Sequence, residues 1–212
     1  MTTTGGSILE RIQALTQIPS AGPSPSFSYP HVCFVLLLIG DNKTVGRIQL
    51  SRKLGLGEGA IRTIIRHLCR AGLVRNTRQG CTLTPKGTSL HKHLRASISE
   101  TYVVDARQLA LDDSSTAILV RGAAGRVTQG IEQRDAAVRA GATGACTMLV
   151  RHGGFVMPTI SEEWSLDSKD PLAQELRRMF NPQHDDVIII ASANEKNVAD
   201  YAALAAGLTL VK

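Results

Sequence analysis

Residues 54–74, LGLGEGAIRTIIRHLCRAGLV, constrain the fold more than any other stretch of this chain. Wound at about 3.6 residues per turn, a helix starting near Glu58 gathers Ile61, Ile64, Ile65 and Leu68 on one side. Gly59, Arg62, Thr63, Arg66 and Arg70 gather on the other. One side needs a core, and the other needs a negative counterpart. Gly72 suits the stop, because a left-handed cap residue costs least without a Cβ. The GLGEG run at 55–59 makes a tight corner with a preceding short helix over about 45–54.

The neighbouring stretches extend this pair into a module. The apolar run VCFVLLLIG predicts a core helix over about 30–39; it is far shorter than the roughly 20 residues of a membrane span. After the arginine helix, LVRNTRQGCTLT reads as two short strands around a polar tip at 76–80. Thr84 then caps a further helix, with Pro85 at its first position, where a missing N–H costs nothing. Upstream, residues 7–18 predict a short amphipathic helix with Ser7 as N-cap, followed by a Pro/Ser-rich connector up to residue 28.

Three helices, a hairpin and a fourth helix resemble the winged helix-turn-helix transcriptional regulators. The resemblance covers about residues 30–98 and rests on LSRKLGLGEGAIRTIIRHL, AGLVRN and LTPKG occurring in that order. It implies that the second helix of the pair enters the major groove of duplex DNA, with Gly59, Arg62, Thr63 and Arg66 facing base edges and His67 at the margin. Arg70 shares their side by periodicity. Arginine suits this task because its planar fork bonds guanine O6 and N7 together or clamps a phosphate. Arg47, Ser51, Arg52 and Lys53 would meet the sugar-phosphate backbone, Arg75, Asn76, Arg78 and Gln79 decorate the wing, and Lys86 sits behind it.

Charge divides with the chain. Residues 1–98 carry 13 Lys or Arg against three acids, a net of +10, whereas residues 99–212 carry 11 against 15, a net of −4. Such an asymmetry points to a polyanion-binding half joined to something else. The start, MTTTGGSILERIQ, lacks the pattern of a secretory signal, and Cys33, Cys69, Cys81 and Cys146 form no C-x-x-C pair. A cytoplasmic protein with reduced thiols is expected, with no membrane partner, no cofactor and no metal; on a helix His91 and His93 diverge.

From Ser114 the pattern changes. SSTAILVRGAAG reads as a strand ending in glycines, RVTQGIEQRDAAVRAGATG as a helix, and ACTMLVRHGGFVMPTI as a hairpin turning at Gly153 and Gly154. DPLAQELRRMF, DDVIIIASA and NEKNVADYAALAAG add a helix, a strand and a final helix. The expected fold class is α+β: a winged helix-turn-helix (29–98), a connector (99–113), then a ferredoxin-like βαββαβ-type two-layer domain (114–212). The combination, with GIEQRDAAVRAGATGACTML, resembles a little-characterised group of archaeal regulators with a C-terminal companion domain.

RGAAG before a helix hints at a phosphate cradle, but the Lys-Ser/Thr of a nucleotide loop is missing. No G-x-S-x-G elbow or H-E-x-x-H occurs, so catalysis is not expected. A winged helix fused to a small-metabolite enzyme stays as a lesser alternative, as does a protein-interaction adaptor. The favoured reading is a dimeric DNA-binding regulator. Its second half serves dimerisation, or senses a small anionic metabolite through Arg121, Gln133, Arg134, Asp135, Thr143 and Arg151 near predicted strand ends and a helix start.

Overall fold

A computed structural model describes residues 12, 26–109, 111, 114–158 and 164–211. Apart from Ile12, the helix expected at 7–18 lies outside the described residues, as does most of the linker after it. The chain divides into two compact units, one of residues up to Leu94 and one of Arg95–Val211. No helix among the described residues is long and apolar enough to cross a membrane.

In the first unit, α1 (Tyr29–Asn42) is the central post, with Val32, Cys33, Val35, Leu36, Leu37 and Ile39 all sealed from solvent. Its start is fixed locally: Pro30 occupies the first turn, and the Ser28 N–H donates to His31 Nδ1 at 3.1 Å. Helix α2 (Arg47–Leu54) ends at Gly55 (φ +64°), whose N–H donates to Ser51 O. Helix α3 (Glu58–Arg70) is the amphipathic arginine helix, and its Ile61, Ile64, Ile65 and Leu68 are buried as the periodicity requires.

Strands β1 (Val74–Thr77) and β2 (Gly80–Leu83) pair antiparallel, Val74 opposite Leu83 and Thr77 opposite Gly80. Val45 exchanges two backbone hydrogen bonds with Cys81, at 3.1 and 2.9 Å, so the α1–α2 loop is stitched to the hairpin. Thr84 then caps α4 (Pro85–Ser97), accepting from the Gly87 N–H at 3.0 Å and donating to Gly72 O at 2.6 Å. The same hydroxyl thus ends α3 and begins α4.

The second unit is built on one six-stranded sheet: β3 (Tyr102–Val104), β4 (Ser115–Val120), β5 (Gly144–Arg151), β6 (Gly154–Met157), β7 (Trp164–Leu166) and β8 (Val187–Ser192). Their spatial order is β3-β4-β8-β5-β6-β7, with every neighbouring pair antiparallel. Because β4 and β5 both run opposite to β8, they are parallel to each other, joined by α5 (Ile131–Arg139) with the last strand inserted between them. A ferredoxin-like sheet would instead centre its first and third strands, so that expectation is corrected.

The two-layer expectation is corrected as well. On one face, Ala117, Leu119, Met148, Val150, Ile188 and Ile190 form a core with Leu172, Ala173, Leu176 and Phe180 of α6 (Pro171–Phe180). On the other, the Thr116 hydroxyl donates to Asp200 of α7 (Lys196–Leu208) at 3.0 Å, and Gly207 of that helix lies against Ile98, Ile118 and Val120. Helices therefore cover both faces. The cause is legible in β4, STAILV, and β8, VIIIAS, which are buried along their whole length and leave no face fit for water.

Candidate nucleic-acid interface

Burial of one side of α3 dictates what its other side presents. With the isoleucines inward, Gly59, Arg62, Arg66 and Arg70 are exposed and Thr63 is half-exposed, its hydroxyl donating to Gly59 O at 3.1 Å. Gly57 caps the N-terminus without a side chain, leaving the first-turn amides open. Arg47, Arg52 and Lys53 are exposed on α2, and Arg75, Asn76, Arg78 and Gln79 are exposed on the hairpin. Among the described residues none of these lysines and arginines forms an ion pair, so the whole set carries uncompensated positive charge.

Ser51, Lys86 and His67 are among the expected contact residues engaged within the protein. Ser51, half-buried, donates from Oγ to Leu56 O at 2.6 Å and braces the corner between α2 and α3. Lys86 donates from Nζ to Ala71 O at 2.9 Å, closing the C-terminus of α3. His67 is a correction: it is 5% exposed, its ring set edge-on to Phe27 at 6.1 Å. Helical phase puts it at the margin of the arginine side, and Phe27 from the preceding segment covers that margin. Lys43 was missed. It is exposed, with φ +62°, in the loop that Val45 stitches to Cys81 beside the hairpin tip, a long-range pairing with no signal in local sequence.

The six residues expected around a ligand do not converge. Arg121 donates to Asp186 Oδ2 at 2.6 Å and to Phe180 O at 3.1 Å, while buried Asp186 also accepts from the Gly122 and Gln183 N–H groups. Arg151 is paired with Asp185 at the same end of the sheet. Thr143 stands at the opposite end, donating to Ser192 O at 3.0 Å. Gln133, 1% exposed, donates to Thr209 at 2.9 Å. Arg134 and Asp135 lie exposed, 4.0 Å from each other. Both sheet-end guanidinium groups are thus neutralised by carboxylates. Among the described residues no three His, Cys, Asp or Glu side chains group closely enough to hold a metal ion.

Residues 34–98 match the family described as the CggR N-terminal DNA binding domain, and residues 111–210 match a domain of unknown function, DUF4443. The hypothetical protein PH0730 from Pyrococcus horikoshii OT3 is 27% identical, with a TM-score of 0.71 over 87% of this chain and 93% of that one. The MarR family protein Rv2887 of Mycobacterium tuberculosis is 23% identical over 42% of this chain and 63% of that one, with a TM-score of 0.30. An IclR transcriptional regulator from Alicyclobacillus acidocaldarius is 12% identical over 85% and 95%, with a TM-score of 0.29. No curated protein matches the chain.

Proposed function

We propose that this chain is a dimeric transcription regulator whose residues 29–98 bind duplex DNA with sequence specificity, and whose second half joins two copies, senses a small molecule, or does both. One observation carries the DNA reading: among the described residues Arg62, Arg66 and Arg70 project without ion-pair partners from a helix whose opposite side is sealed. The match of residues 34–98 to a DNA-binding domain family supports it. In this reading α3 lies in the major groove, with Arg62 and Arg66 bonding base edges. Arg47, Arg52 and Lys53 hold the flanking phosphates, and the hairpin arginines reach the adjacent backbone.

The test is a fluorescence anisotropy titration against a duplex selected from a random library. Replacing Arg62 or Arg66 with Ala is expected to weaken the selected duplex by about 1–3 kcal/mol each and to relax preference at the bases they read. Equal affinity of wild type for the selected duplex and for scrambled sequence would refute sequence specificity. No binding at low salt would refute DNA recognition altogether.

A further inference from the structure

Strand β3 is an edge of the six-stranded sheet: it pairs with β4 alone, and among the described residues its other side bonds to no strand or loop. An unpaired edge is a template for a further strand, and lysine, proline or a bulge is the usual protection. Beyond its shortness β3 has none of these: its residues are Tyr, Val and Val, and its register with β4 is unbroken. Tyr102 and Val103 stand 37% and 50% exposed on it. Apolar surface and open backbone therefore coincide.

The two sides of β3 differ. Val104 is buried in the core that α6 helps to form, and Tyr102 sets its ring edge-on to Phe180 of that helix at 5.2 Å. By strand alternation Val103 points to the opposite side. Along the edge, between β3 and α6, lies a groove of about 360 Å³ lined by Val103, Val104, Asp105, Arg107 and Glu175. Asp105 and Arg107 are paired with each other at 2.6 Å. Half-buried Glu175, by contrast, has no side-chain hydrogen bond or ion pair among the described residues, and neither has the exposed carboxylate of Glu100 just before the strand.

We propose that a second copy of this chain covers this edge, β3 pairing antiparallel with the partner's β3 about a two-fold axis at Val103. The proposal rests on the two-copy reading given above and names the surface that joins the copies. The edge is complementary to itself, which identifies the occupant. An axis at Val103 sets that residue against the partner's Val103, and sets Val104 opposite the partner's Tyr102. Strand alternation then puts the partner's Tyr102 on the α6 side, at the groove, where its ring covers Val104 and its hydroxyl has the unused Glu175 carboxylate as acceptor. At the ends, the run ETYVVDAR opens on an acid and closes on a base, so antiparallel pairing brings Glu100 beside the partner's Arg107. Symmetry makes each contact twice. A slip of one residue would turn Tyr102 away from the groove, so the pairing has one register.

Sedimentation velocity of the full chain, without DNA, tests this. Wild type should sediment as a dimer, and Val103→Lys should raise the dissociation constant roughly tenfold or more, because a lysine on each copy meets its like across the axis. Ile131→Lys, at a 51% exposed apolar position on α5, should leave the dimer intact. Thermal melts check that both variants fold. Independently, Val103→Cys treated with a short bifunctional maleimide should yield a covalent dimer above the background from the native thiols of wild type, whereas Ile131→Cys should not. Dimers that survive Val103→Lys, or that form no cross-link through residue 103, would overturn the β3 interface and leave the two-copy reading standing. A monomeric wild type would overturn both.

Discussion

His31 is held neutral by its surroundings. Burial lowers its pKa to about 4 from the ordinary 6.5, and its Nδ1 accepts the Ser28 N–H, which an imidazolium could not do. The unfolded chain therefore takes up a proton at a pH where the folded one does not. This contribution to stability is complete above about pH 6.5 and is lost as pH falls toward 4. Urea midpoints at pH 7 and pH 5 should differ more for wild type than for His31→Gln, whose amide oxygen keeps the capping bond without titrating. Gly87 is a second sensitive point, since a Cβ there would lie 2.0 Å from Leu73 O, a backbone atom that cannot step aside. Gly87→Ala should cost about 2 kcal/mol in chemical denaturation, the clash outweighing the gain in helix propensity. Neither feature is visible in sequence, because each depends on which element arrives opposite. The exposed arginines of α3 were legible, since phase alone turns them outward once the isoleucines turn in. His67 was not, because Phe27, distant along the chain, closes over it.

Between α3 and the hairpin, the elements of the first unit follow from local rules. Glycines end α2 and α3, Thr84 and Pro85 open α4, and a polar tip separates two short strands. That is why this unit could be read from sequence with boundaries off by one to three residues. In the proposed DNA complex the hairpin acts electrostatically. Arg75 and Arg78 stand in solvent without acidic partners among the described residues, so in that complex each would neutralise at most one phosphate. Replacing both with Ala should flatten the slope of log affinity against log salt by about 1–2 and weaken selected and scrambled duplexes alike. A loss restricted to the selected duplex would instead mean that the hairpin reads bases. Strands β3 and β7, three residues each, carry too few positions for alternation to register.

At the scale of the molecule, legibility falls where pairing becomes non-local. STAILV and VIIIAS announce buried strands, yet nothing local says that the second slots between the first and GACTMLVR. Nor does local pattern tell that α6 covers the face opposite α5 and α7, and the two-layer expectation failed on that point. The net charges of +10 and −4 on the two stretches, by contrast, are a property of composition and need no topology. The insertion of β8 bears on how the protein is made. As the chain leaves the ribosome, everything the first unit needs has emerged by Leu94, and it can close while synthesis continues. The second unit has no such early option: β4 and β5, the two strands that flank its middle, hydrogen-bond to a partner not yet translated, and they wait with unsatisfied edges until Ser192 has cleared the exit tunnel.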